Sequence, residues 1–298
     1  MVMESSHNYS EEELNKILNK ATDEFRRLIE CDDFNKWRIP DPNEFAYIHS
    51  FNGYDNTSGG ILIIGLNPHT FEKKGETSYN KKKDEELKGK WMKEYCIDKD
   101  RNTSDCLLTR YPYFKLFTGG MDNEQKECNE CPVNIKDNRE FKMNLRKIDP
   151  NIKFTDAVLI RSNSRNKLTE LLSNGKKARK QEEDAEIYNA IEIGWNKYLS
   201  DVLKLIRPKV VVCNSTDLSH FIEKLNEDQG QQGRKGEELK EDNRPKYENQ
   251  TDVVDIKLPG DITIPFVLSG QVTGQRAIDK WTLIRMKDAI ARTYNGKV

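Results

Sequence analysis

Four short aliphatic runs constrain this chain more than any other feature: Ile61–Ile64, Ala157–Ile160, Val210–Cys213 and Phe266–Leu268. Each is too short for a helix and is bounded by turn-forming residues. The apolar residues are continuous rather than alternating, as expected of strands covered on both faces. Val253–Leu258 alternates more clearly and reads as a further, more exposed strand. Helical patterns fill the intervals. Residues 10–31 place Leu14, Ile17, Leu18, Ala21 and Phe25 at helical spacing behind a Ser10–Glu13 capping box, and Pro40 and Pro42 end that region. Residues 185–206 carry Ile193, Trp195, Leu199, Val202, Leu203 and Ile206 on one broad face, and Pro208 closes the helix just before Val210. Ser215 to Asp217 can cap a helix containing Leu218, Phe221, Ile222 and Leu225, and a last helix covers about 278–294. Strands alternating with helices predict an α/β fold on a central, mainly parallel, four-stranded sheet.

The 298 residues suffice for one large domain with insertions or for two small ones. The reading adopted is a single domain over 1–298, with an N-terminal helix at 10–31 and insertions at about 71–150 and 226–250. The second insertion is almost wholly polar and is expected to be a mobile loop. The first is highly charged around one aromatic island, Tyr111, Tyr113, Phe114 and Phe117. No run is long enough to span a membrane, and Met1–Asn8 is polar, without a secretory core. A cytoplasmic protein with no membrane association is the expectation. The net charge is −1, so any nucleic-acid footprint must be local.

Ligands of doubly wound sheets bind beyond the carboxyl ends of the strands. The first run ends in Gly65-Leu66-Asn67-Pro68-His69. Gly65 allows close backbone approach, and Pro68 restricts Asn67 to an extended conformation. A side chain held in that way can position a water molecule; the plainer reading is an Asn-Pro turn. The second run ends in Arg161-Ser162-Asn163-Ser164-Arg165-Asn166, either a polar binding edge or a solvated turn. The last run leads into Ser269-Gly270-Gln271-Val272-Thr273-Gly274-Gln275-Arg276, ahead of the final helix. His49, His69 and His220 have no matching carboxylate or cysteine spacing and are not read as metal ligands.

Gly65-Leu66-Asn67-Pro68 resembles the first active-site motif of the uracil-DNA glycosylase superfamily, in the Gly-x-Asn-Pro form of its mismatch-specific and single-strand-selective branches. The stretch Tyr198–Val212 is similar to the helix, proline and strand that precede the family's last strand. Phe266–Arg276 occupies the place of its final motif. The order of elements agrees over about residues 59–293, leaving out the N-terminal helix and the two insertions. The resemblance implies a three-layer sandwich, DNA as partner, a monomer, and hydrolysis of a glycosidic bond without metal or organic cofactor. A glycosylase flips its target nucleotide into a pocket. Asn67 would orient the attacking water, an aid that is positional because an amide is no useful base. Gly65, Leu66 and Pro68 would line the base, Tyr113 or Phe114 would stack on it, and Asn163 would read its edge with an amide that both donates and accepts. Ser269 would assist the departing base. Arg161, Arg165, Gln271, Val272, Thr273 and Arg276 would contact DNA.

The chain also departs from the family. Uracil-specialised members place a histidine in the final motif, where this chain has Leu268, Ser269 and Gly270. The missing imidazole, the long first insertion and the polar Arg161–Asn166 segment fit a roomier pocket. The substrate is therefore open between uracil and a bulkier 5-substituted cytosine such as those of modified phage genomes, and the role between repair and antiviral defence. Two other classes stay in view: a catalytically silent DNA-binding module of the same fold, and an unrelated nucleotide-binding α/β protein. The latter lacks a glycine-rich phosphate loop.

Cys128 and Cys131 form a CxxC, and with Cys96 and Cys106 they offer four thiolates for zinc; the alternative is four free thiols. The long spacing of the upstream pair favours free thiols. Metal analysis of purified protein is expected to find no stoichiometric zinc. About one equivalent, lost with chelation-induced unfolding, would establish the zinc site instead.

Overall fold

The structure, a computed structural model, describes residues 8–29, 38–39, 41–43, 47–50, 57–68, 117, 143–150, 152–162, 164–173, 180–230, 252–269 and 280–296. It is an α/β fold with a mostly parallel sheet. Five strands have four residues or more: β2 (Ile61–Gly65), β3 (Lys153–Asp156), β4 (Val210–Cys213), β5 (Asp252–Leu258) and β6 (Ile262–Leu268). A two-residue strand, β1 (His49–Ser50), precedes them. The helices are α1 (Glu11–Leu28), α2 (Arg165–Leu172), α3 (Lys180–Gly194), α4 (Ser200–Ile206), α5 (Thr216–Asp228) and α6 (Lys280–Tyr294). The chain clusters into two compact units. One comprises Met1–Gly59, Ile64–Lys99 and Phe154–Arg207; the other comprises Gly60–Ile63, Asp100–Lys153 and Pro208–Val298. The boundary runs through β2 and, after Lys153, through β3.

In the first unit the strand order is β1-β3-β2. Ser10 caps α1 with both bonds of a capping box: its Oγ accepts from the Glu13 amide at 3.1 Å, and its own amide donates to Glu13 Oε2 at 3.3 Å. Leu14, Leu18, Ala21 and Phe25 form the buried face of α1, with Ile17 at its margin. That face packs on α4 and on the π-helical turn Trp195–Leu199 that joins α3 to α4. A π turn holds one more residue than an α turn, so it rotates what precedes it. The buried positions are accordingly Ile187, Ala190, Ile191 and Gly194 before the turn and Trp195, Tyr198, Leu199, Val202, Leu203 and Ile206 in and after it, whereas Ile193 is only half-buried. Arg207 ends α4 in the left-handed region at φ 50°.

In the second unit the order is β2-β4-β6-β5. β4 and β6 are parallel, with Val211 opposite Phe266 and Val212 opposite Val267. β5 and β6 form an antiparallel hairpin from Asp252 opposite Leu268 to Leu258 opposite Ile262. Its turn uses positive φ at Gly260 (89°) and Asp261 (57°). α5 packs on β4 and β5, and α6 packs on β4 and β6. Asp149 accepts from the Ile61 amide at 3.0 Å and so holds the start of β2.

Four expectations are corrected. The sheet has six strands rather than four, because β1 and the more exposed strand β5 also belong to it. The strand expected at Ala157–Ile160 lies instead at Lys153–Asp156. Ala157–Ile160 are wholly buried, but they follow the strand as bends and irregular backbone. The helix expected over 185–206 begins at Lys180 and carries the π turn. The polar insertion expected from 226 starts no earlier than 229, since α5 runs through Asp228. Residues 231–251 and most of 71–150 lie outside the described residues.

Gly194 is placed by contact. A Cβ there would collide with the carbonyl of Ala157 and meet Phe25 Cζ at 3.4 Å. Gly194→Ala is expected to cost about 1–3 kcal/mol, the range for forcing atoms into a filled interior. Chemical denaturation checks it. A lowered midpoint with an unchanged slope is expected; an unchanged midpoint would mean that the helix moves away freely.

Candidate active site at the end of β2

The residues around Asn67 belong to the first unit. Beyond β2 the chain is stitched to the segment after β3. The amide of Ala157 donates to Gly65 O at 2.9 Å, that of Val158 to Leu66 O at 2.8 Å, and that of Ser162 to Pro68 O at 3.1 Å. Gly65, Leu66 and Asn67 are half-buried, between fully buried Ile61–Ile64 and buried Pro68. The Asn67 Nδ2 donates to Ile160 O at 3.0 Å, to Pro68 O at 3.1 Å and to Ser162 Oγ at 2.8 Å. Two of these partners are backbone carbonyls, which only accept. They therefore dictate which end of the amide faces them. The hydroxyl of Ser162 donates onward to Ser164 O at 2.9 Å, so it too receives from Asn67. The amide cannot flip without losing all three bonds. Among the described residues every hydrogen bond of Asn67 uses Nδ2, and Oδ1 is left as an acceptor.

Two further groups support this end of β3. Thr155 Oγ1 donates to Tyr47 O at 2.9 Å and lies 2.6 Å from the hydroxyl of Tyr198. A threonine hydroxyl has one proton, so the Tyr198 hydroxyl is the donor to it. Burial pushes both phenols above their ordinary range. Asp156 follows Thr155, and its Oδ1 lies where a Cβ on Gly65 would sit. Asp156 is half-buried, yet protein atoms crowd its carboxyl so closely that burial raises its pKa to about 7.

The other expected site residues are placed as follows. Arg161 is 3% exposed; its amide donates to Arg38 O at 2.9 Å, and Arg38 Nη1 donates to Arg161 O at 3.3 Å. A guanidinium so enclosed is not presented to a phosphate on the surface, a correction to its expected role. Arg165 stands in the first turn of α2 and pairs with Asp184 at 2.6 Å. Ser269 is buried in the second unit, where Ser219 Oγ donates to its carbonyl at 2.8 Å and accepts from its amide at 3.2 Å. Tyr113, Phe114, Asn163, Gln271, Val272, Thr273, Arg276 and the cysteines Cys96, Cys106, Cys128 and Cys131 lie outside the described residues. Among the described residues no cluster of histidine, cysteine and carboxylate is arranged to hold a metal, and no helix is long and apolar enough to cross a membrane. Sequence reasoning missed Ser162 and Asp156. No local pattern marks either, because each acquires its place through a strand distant in the sequence.

Comparison of the chain with protein-family models and with curated proteins finds no match.

The raised pKa of Asp156 has a consequence for stability. A folded-state value above the unfolded one means that the folded protein holds the proton longer. Below about pH 4 both states are protonated and there is no penalty; it grows as pH rises and is complete above about pH 7. Asp156→Asn removes the ionisation. It is expected to raise the melting temperature at pH 8 relative to the parent protein, and to leave it nearly unchanged at pH 3.5. Thermal scans at the two pH values test this, and an equal shift at both would refute a buried ionisation as the cause.

Proposed function

We propose that this protein is a monofunctional DNA glycosylase with the three-layer architecture of the uracil-DNA glycosylase superfamily, acting on a flipped, modified pyrimidine and leaving an abasic site. The observation that carries the reading is the Asn67 amide. Its nitrogen is fixed by two carbonyls and a hydroxyl, and its oxygen is the end left to accept from a water. Glycoside cleavage of this kind proceeds through a sugar with cationic character, and the water must wait on one face of it. Holding that water in line removes entropy from the barrier without any proton chemistry by Asn67 itself. The departing base leaves as an anion and is helped by donors placed at its oxygens. Backbone amides are the donors assigned to this task, in place of the histidine of uracil-specialised relatives.

The substrate class follows from the same inventory. A small uracil pocket excludes groups at the 5-position of the ring. Buried sugar-like substituents need polar partners. Ser162 bonds Asn67, and the sequence around it, Arg161–Asn166, is polar. The preferred base is therefore a 5-substituted cytosine, and the role is defence against DNA that carries such bases.

Excision assays on oligonucleotides containing uracil, 5-hydroxymethylcytosine or glucosylated hydroxymethylcytosine test the proposal, with alkali revealing abasic sites. Release of at least one 5-substituted base at a rate equal to or above that of uracil is expected. Asn67→Ala should lower single-turnover excision by about 100-fold or more, as when a positioned catalytic contact is lost, with DNA affinity retained. Wild-type excision by that variant would remove Asn67 from the mechanism. DNA binding with no base released would favour a silent module of the same fold.

A further inference from the structure

The site around Asn67 holds a second polar group that the water-positioning role does not use. In the stretch 152–162, Asp156 is the one residue that is not buried. In 61–68, the residues not buried are Gly65, Leu66 and Asn67. The Asp156 carboxyl packs against the bare Cα of Gly65, two residues before Asn67. The only break in the covering of β3 and its continuation thus touches the break at the end of β2.

We propose that Asp156 is a second catalytic group of this site, the general base that takes a proton from the water held by Asn67. This rests on the glycosylase reading above and supplies what that reading lacks. An amide orients water but cannot accept its proton, whereas a carboxylate can. In the step, the water oxygen bonds to C1′ while the bond from C1′ to the base breaks. The bonding pair leaves with the base as an anion. One water proton passes to the Asp156 carboxylate, and the abasic sugar keeps the hydroxyl.

The surroundings support the assignment. No donor among the described residues bonds the Asp156 carboxyl. The titratable group facing it is Tyr198, from the π turn, and the β2 residues Ile61–Gly65 bring no charge. Lys153, on its own strand, starts β3 three residues earlier. A crowded carboxyl without a bonded partner weakens a fold, and such groups persist where chemistry uses them. Its proton affinity, raised by burial to about 7, is that of a base working at neutral pH.

The test is single-turnover excision of the best substrate base between about pH 5 and pH 9, for the parent protein, Asp156→Asn and Asp156→Glu. For the parent, the rate should climb with pH and level off above about pH 7. Asp156→Asn should lower the plateau by about 100-fold or more and remove the inflection, while DNA affinity stays. Asp156→Glu should restore the inflection at a shifted pH. An active parent whose rate and inflection survive Asp156→Asn overturns the proposal and leaves the glycosylase reading standing. A parent inactive on every base overturns that reading, and this proposal with it.

Discussion

The turn of chain at Asp156–Ala157 is pressed between two glycines, and the arrangement of the first unit depends on that. Gly65 at the end of β2 leaves room for the Asp156 carboxyl; Gly194 at the end of α3 leaves room for the Ala157 carbonyl. A side chain at either position would push the sheet or the helix away. With both absent, β3 lies between β1 and β2, and its Thr155 side chain meets Tyr198 of the π turn. Close approach of this kind is what glycine permits and no other residue does. The amide clamp on Asn67 is downstream of it, because Ile160 and Ser162 reach Asn67 only where the chain leaves Ala157 in the right direction.

On the proposed reading, DNA binding would rest more on one flipped base than on a broad basic surface. Net charge is −1, Arg161 is enclosed and Arg165 is paired with Asp184. Affinity drawn mainly from phosphates would require many free cations and would fall steeply with salt. Binding through a pocket and a few local contacts depends less on ionic strength and more on the identity of the base.

The parts of this fold legible from the sequence are those in which burial and backbone pairing coincide. Ile61–Ile64 and Val210–Cys213 are aliphatic, buried and paired, and the strands fall on them. Ala157–Ile160 shows why the rule fails elsewhere. Aliphatic continuity reports burial, and these residues are buried, but the ladder lies in Lys153–Asp156, whose mixed side chains carry no strand signature. The capping box was legible because it is local, with both partners within three residues. Asn67 was legible for the same reason, flanked by Gly65 and Pro68. Ser162 was not, since its bond to Asn67 spans 95 positions. Asp156 was hidden behind a glycine, and the absence of a side chain leaves no mark of what fills the space.

The π turn at Trp195–Leu199 makes the first unit asymmetric in its tolerance of length changes. The turn is one residue longer than regular winding requires. Loss of any residue from it would let the segment from Lys180 to Ile206 relax into a continuous α-helix. The helix on each side would keep its orientation, because the residue lost is the extra one. A residue lost from the regular α winding on either side would instead turn the segment beyond it by about 100°, the angle of one helical residue. The turn is therefore where this helix best absorbs a deletion, Tyr198 excepted, because its hydroxyl bonds Thr155. Elsewhere in the helix, lineages of this chain would have to preserve its phase more than the identity of its exposed residues.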